Sequence, residues 1–377
     1  MSSTWCLTAT SCHYQTRPMR TQGILDARPV AHFLNGDCFY FAPGQSNYWG
    51  FSTPDAGLSN TPDDFYRKFL QGWYAYPWQA LSARRVTGDL KMYWVPDDHG
   101  WGGSDWDHTI TNANNGNNPV NAVTQRDVLN HFRAGLLGHN QIRTEFFDNP
   151  PNGQPNGDIP AAMVGTASAA EYPILYFALD YGPGGAVGGN LIRVIVPDFV
   201  NYKTQIAAAD NASKTLLGVT QKAWIKAQWL DAKARGFKHV IMMCSKDLYN
   251  TMNDDGFKSY ITEMNELLAY AQTNDIPVLW ATGDRHSPHV ALTRTLSGDT
   301  YDSFVVCACP ANHDGDPMTF YQQCIDLNNT KGSDSGCWHK ITIDETRQVT
   351  RIAIMDLFTD QEWRGYDVPW GARVPNF

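Results

Sequence analysis

The sequence holds no apolar run near the ~20 residues that a membrane-spanning helix needs. It has no block of lysines and arginines, and its start, MSSTWCLTATSCHYQ, lacks the basic-then-apolar layout of a secretory leader. With a formal net charge of −9, the attraction that brings proteins to nucleic-acid phosphates is missing, so a nucleic-acid polymer is not an expected partner. Only 18% of the residues are charged while 42% are hydrophobic, which excludes a disordered chain. Also absent is the Gly-x-Ser-x-Gly elbow of serine acyl hydrolases. The glycine-rich run YGPGGAVGGN (181–190) lacks the Lys-Ser/Thr step of a phosphate loop and reads as a hairpin connection.

What is present is core material: 13 Trp, 17 Tyr and 17 Phe in 377 residues. No internal repeat or linker divides the chain, and one large domain over 1–377 is expected. The eight cysteines stand at Cys6, Cys12, Cys38, Cys244, Cys307, Cys309, Cys324 and Cys337. Crowding of the last four is compatible with disulfides, whose pairing an even count does not fix. The sequons at Asn211 and Asn328 add little, and the compartment stays open.

Short apolar or β-branched runs followed by turn residues predict strands over 5–12, 30–37, 90–98, 174–182, 190–198, 239–247, 277–284, 304–310, 337–344 and 349–358. Helical periodicity fits 63–85, with a break near Pro77, and 124–137, 220–236 and 255–275. Strands alternate with helices in the middle of the chain and dominate its end, which predicts mixed sheets covered by helices. Segments 100–123, 146–172 and 310–336 read as long loops of the functional kind.

Three of the apolar strands end in acids. AHFLNGDCFY closes on Asp37, MYWVPDDHG on Asp97, Asp98 and His99, and PVLWATGDRHSP on Asp284 and His286. Ligand sites in α/β sheets lie outside the carboxyl ends of strands, so such acids can meet in space. Gathered carboxylates repel one another unless a cation sits between them, and a metal site is the simplest resolution. Asp284 and His286 are two apart and would face one side if the strand geometry continued. Carboxylate with imidazole suits iron, manganese or zinc, and a carboxylate-rich second position suits calcium or magnesium. Taken singly each residue has a plainer use, Asp37 in a turn, Asp97 or Asp98 as a loop cap and His99 as a core histidine.

In their order and spacing, ATSCHY, FLNGDCFY, VPDDHG, LLGVTQKAWIKAQWL and ATGDRHSP resemble the PhoD-like alkaline phosphatases, a branch of the calcineurin-type metallophosphoesterases. The likeness runs from about residue 5 to 358. The resemblance implies a four-layer αββα sandwich, an α/β (α+β) fold of two mixed β-sheets flanked by helices. It implies Fe3+ and Ca2+, with Mn2+, Mg2+ or Zn2+ as substitutes, held by Cys12, a bridging Asp37, Tyr40, Asp98, Asp284 and His286. His99 falls where such enzymes hydrogen-bond the phosphoryl group. The implied reaction is attack of a metal-activated hydroxide on the phosphorus of a small phosphate ester. Such enzymes commonly work outside the cytoplasm.

The sequence also departs from that pattern. After the Asp-Asp-His step, where the family has Glu and a nearby Asn, it reads Gly100, Trp101, Gly102, Gly103, Ser104, Asp105; Asp105, Asp107 or His108 are candidates for added contacts. After RVIV the family's Asp is kept as Asp198, but its two arginines are replaced by Val200 and Lys203. A guanidinium fork for a phosphate dianion is thereby lost, leaving Lys203 as a point charge. That loss brings diesters or triesters close behind monoesters, with Trp49, Trp101 and Trp106 as candidate apolar walls. A catalytically silent, carbohydrate-binding relative is the alternative from another class.

Overall fold

In the computed structural model, the residues described are 3–13, 20–37, 76–95, 97, 148, 176–200, 202–204, 206, 208–248, 256–284, 286, 288–293, 303–309, 324–327 and 336–376. Their elements, in chain order, are β1 (Thr4–Thr10), α1 (Gln22–Asp26), β2 (Ala31–Asn35), α2 (Tyr76–Val86), β3 (Lys91–Val95), β4 (Phe177–Tyr181) and β5 (Ile192–Val196). Then come α3 (Gly218–Ala234), β6 (His239–Cys244), α4 (Ile261–Thr273), β7 (Val278–Thr282), β8 (His289–Thr293), β9 (Ser303–Cys307), β10 (Cys324–Leu327), β11 (Cys337–Asp344), β12 (Val349–Asp356) and β13 (Glu362–Pro369).

The strands make two mixed sheets, one in the order β13-β12-β11-β1-β2-β3 and the other β10-β8-β9-β7-β6-β5-β4. In the first, β1, β2 and β3 run parallel. In the second, β5, β6, β7 and β9 do so. The remaining pairings are antiparallel, including β4 with β5 across the connection expected at 181–190.

Alternation along each strand divides the side chains between two cores. Leu7, Ala9, Phe33, Tyr93, Val194, Ile241, Met243, Leu279, Ala281, Val306 and Ile341 belong to one buried cluster that fills the space between the sheets. Their neighbours in sequence on the second sheet, among them Ile195, Met242, Cys244 and Trp280, turn to the other face and join Ile225 and Trp229 of α3 and Leu267 and Leu268 of α4. Strands facing a core on each side read as unbroken apolar runs, which is why β5, β6 and β7 were plain in the sequence.

Each expected strand forms. Of the helix expected over 63–85, the part from 76 onward is α2, and 63–75 lies outside the described residues. The expected helix at 124–137 lies outside the described residues, as do segments 100–123, 146–172 and 310–336 apart from Asp148, Cys324–Leu327 and Gly336. Strands β8, β10 and β13 were not anticipated, since they are short or carry charges at a sheet edge, as in EWRGYDVP. Cysteines 6, 12, 244, 307, 309 and 337 are free thiols, so the pairing suggested by the C-terminal crowding is not seen among them. No described helix is long and apolar enough to cross a membrane.

Several buried polar groups are neutral histidines. His32 lies between the hydroxyls of Thr8 and Thr10 at 2.9 and 3.0 Å, and His239 lies 2.8 Å from Thr350 Oγ1. Burial pushes His32 down to about 3 from 6.5, and His239 and His339 down to about 4. Because the unfolded chain takes up these protons first, stability falls as pH drops from about 6.5 toward 4 and is unaffected by them above that window. Each should cost about 2 kcal/mol at pH 5. Urea unfolding at pH 7 and pH 5 measures this; an unchanged midpoint would show that these histidines are charged in the fold.

Candidate metal centre

The parallel strands of both sheets deliver their carboxyl ends to one rim. There the chain leaves β1 through Ser11 and Cys12, β2 through Gly36 and Asp37, β3 through Asp97, β6 through Ser245, Lys246 and Asp247, β7 through Gly283 and Asp284, and β9 through Ala308 and Cys309. This is the position at which α/β sheets bind ligands.

The rim is closed by contacts between the sheets. Asn35 Nδ2 donates to the Ala281 carbonyl at 3.3 Å and the Asp284 N–H to Ser11 Oγ at 3.2 Å, while within the first sheet the His13 N–H donates to the Asp37 carbonyl at 2.8 Å. Two glycines make the approach feasible. A Cβ on Gly283 would lie 2.4 Å from both the Asn35 carbonyl oxygen and Ser11 Oγ. One on Gly36, at φ +86°, would lie 2.6 Å from Asp97 Oδ2 and 2.7 Å from Ser245 Cβ. The Asn-Gly-Asp and Thr-Gly-Asp steps are thus demands of close packing.

Immediately beyond the strands the backbone turns left-handed at Cys12 (φ 56°), Asp37 (φ 44°) and Asp284 (φ 63°). Side chains rarely tolerate this region, and its recurrence at three rim positions marks them as set by tertiary packing. The turn also revises the expectation that Asp284 and His286 share a face by strand continuation. Strand β7 ends at Thr282, so the two side chains reach different, adjoining groups.

One group joins Cys12, His286 and Cys309, with ligand atoms all within 4.8 Å of one another. The Cys309 thiol donates to Cys12 Sγ at 2.9 Å, and the Cys12 thiol to Asp37 Oδ2 at 3.6 Å. The second group joins Asp37, Asp97 and Asp284 within the same limit, all buried. Asp37 touches both. A third, of Asp247, His289 and Cys307, lies beside them. There Asp247 Oδ1 accepts from Thr282 Oγ1 at 3.1 Å and Oδ2 lies 3.2 Å from His289 Nε2, while Cys307 Sγ donates to the Gly283 carbonyl at 3.6 Å. These bonds anchor the turn that carries Asp284.

Burial pushes the Cys12 thiol up from its ordinary value, and the charges of Asp37 and Asp284 add to the shift. Burial likewise holds Cys309 well above the usual thiol range. Both sulfurs are therefore poised to give up protons only to a bound cation.

Among the sequence candidates, Cys12, Asp37, Asp284 and His286 are brought together. Tyr40, Asp98 and His99 lie outside the described residues; Asp97, the neighbour of Asp98, reaches the acid group. Lys203, the point charge left where the arginines are lost, is fully buried. It follows a segment held by Gln221, whose Oε1 accepts from the Asp198 N–H at 2.7 Å and whose Nε2 donates to the Asp198 carbonyl at 2.8 Å. Sequence reasoning missed Cys309 and Lys246. Lys246 is fully buried, with Nζ 2.8 Å from Asp97 Oδ1 and 3.0 Å from Asp284 Oδ1.

No protein-family profile and no curated protein sequence matches the chain. Among solved structures, that of PhoD superposes on 97% of this chain and 68% of its own with a TM-score of 0.64 at 12% identity. A looser match, GAP50, described as the anchor in the inner membrane complex of Plasmodium, covers 98% of this chain and 89% of its own with a TM-score of 0.48 at 11% identity. The likeness to PhoD establishes a shared fold.

Gly283→Ala should destabilise the protein by roughly 3 kcal/mol through overpacking at the rim. Gly88→Ala is the control, since it has positive φ but nothing within 4 Å of the added Cβ, and it should cost only about 1–2 kcal/mol. Chemical denaturation of both checks this; equal costs would show that the approach at Gly283 is slack.

Proposed function

We propose that residues 1–377 form one metal-dependent phosphoesterase domain that hydrolyses small phosphate esters. The observation that carries this reading is the meeting of two thiols, an imidazole and a carboxylate at the strand ends of a fold shared with PhoD.

The donor set fits a transition metal. Two sulfurs and one imidazole within 4.8 Å, with Asp37 alongside, suit iron or zinc better than a hard, oxygen-seeking ion. Cys12, Asp37 and His286 would hold the metal, iron first by resemblance, and Cys309 would add a second sulfur. Tyr40 and Asp98 keep the ligand roles that the resemblance implies, and His99 that of hydrogen-bonding the phosphoryl group. When bound, the metal supplies Lewis acidity and lowers the pKa of water at neutral pH. Asp37 fixes the geometry from the chain's side, because its backbone is pinned by the His13 N–H and its carboxylate reaches the Cys12 thiol.

Among the described residues, the oxygens gathered for calcium are those of Asp37, Asp97 and Asp284, and there Lys246 already stands. On the substrate side, buried Val200 replaces a guanidinium. A single negative charge asks less of such a pocket than a dianion, which favours diesters over monoesters.

Asp37→Asn should lower hydrolysis of bis(4-nitrophenyl) phosphate at least about 100-fold with the near-ultraviolet circular dichroism unchanged. Cys309→Ser should weaken metal retention by about 10–100-fold, read by dialysis against a chelator. Full activity in Asp37→Asn would end the phosphoesterase reading; metal bound without release from mono- or diesters would favour the carbohydrate-binding alternative.

A further inference from the structure

We propose that Lys246 is a cation built into the chain at the place where a second metal ion would sit, so that the centre takes one metal ion and excludes calcium. The inference rests on the phosphoesterase reading only for the purpose of the charge; the placement of the charge is a property of the fold.

Asp37, Asp97 and Asp284 are each no more than 5% exposed, and their oxygens lie within 4.8 Å of one another. At about 4 Å and an effective dielectric of about 20, each pair of such charges repels by about 4 kcal/mol. Gathering them requires positive charge, and the ammonium of Lys246 supplies it at 2.8 and 3.0 Å from two of the three.

Position and chemistry both oppose a second ion. Calcium bound by Asp97 Oδ1 and Asp284 Oδ1 would need oxygens at about 2.3–2.6 Å, in the space that Nζ fills. The lysine arrives there from the end of β6, where Ser245 packs against Gly36 and Asp247 is fixed by Thr282 and His289. Its backbone is held on both sides, and its ammonium is held by the two carboxylates.

The test is a cation count. Purified full-length wild type and Lys246→Ala are dialysed against about 1 mM calcium, and bound metals are measured by mass spectrometry with melting temperatures in parallel. Wild type should retain a transition metal, bind no stoichiometric calcium and show no calcium-dependent melting shift. Lys246→Ala should gain calcium, one ion per chain, with melting raised by roughly 3 °C at calcium about 100 times its Kd. Stoichiometric calcium in wild type overturns the inference, as does a folded Lys246→Ala that takes up none. If the variant folds only with calcium present, that requirement supports it; if it folds in neither buffer, the wild-type count decides. Bis(4-nitrophenyl) phosphate hydrolysis by the same wild-type preparation separates the two readings. The expected cation count without hydrolysis removes the phosphoesterase reading alone, and hydrolysis with bound calcium removes the Lys246 inference alone.

Discussion

Three carboxylates that share one buried rim must be matched by positive charge, and the rest of the site follows from that constraint. The sheets bring Asp37, Asp97 and Asp284 within 4.8 Å of one another. They do so through contacts that glycine alone permits, at Gly36 and Gly283. Apart from taking up protons, such a cluster has two ways to persist: bound metal, or a basic side chain from the same fold. The structure provides for both, with Lys246 against Asp97 and Asp284 and a sulfur-nitrogen pocket against Asp37.

The division between the two halves is chemical. Cys12, Cys309 and His286 offer soft and borderline donors, whereas the acid group offers hard oxygens alone. Asp37 is a member of the acid group and accepts from the Cys12 thiol of the other at 3.6 Å. Left-handed backbone at Cys12, Asp37 and Asp284 lets each side chain turn back across the rim immediately after its strand. Such conformations cost of order 1–3 kcal/mol each and persist only where surrounding structure over-determines them. The hydrogen bonds from His13 N–H to the Asp37 carbonyl and from Asp284 N–H to Ser11 provide that restraint.

Much of this was legible in the sequence, for identifiable reasons. Strands buried on both faces announce themselves as unbroken apolar runs, and acids directly after such runs are conspicuous, which exposed Asp37, the Asp97–Asp98 pair and Asp284. Of that pair Asp97 is seen in the acid group, and Asp98 lies outside the described residues. The assumption that Asp284 and His286 share a face failed because periodicity describes strands, and the chain leaves β-geometry at Gly283. Edge strand β13 was hidden by the charges that protect an edge.

Lys246 was invisible for a deeper reason. A lysine in CSKD reads as a solvated turn residue, and only the meeting of strands from two sheets, far apart in sequence, turns it inward. Cys309 presented the same difficulty, since a cysteine at the end of FVVCAC is indistinguishable from a small core residue until Cys12 is placed 2.9 Å away. The visible residues are those whose type is unexpected at a strand end; the hidden ones have an ordinary type and an unexpected neighbour. A charge balance exposes the second kind, because a buried acid cluster demands a partner whether or not the sequence advertises one. Applied to this rim, that demand leads to Lys246, 2.8 and 3.0 Å from two of the three acids.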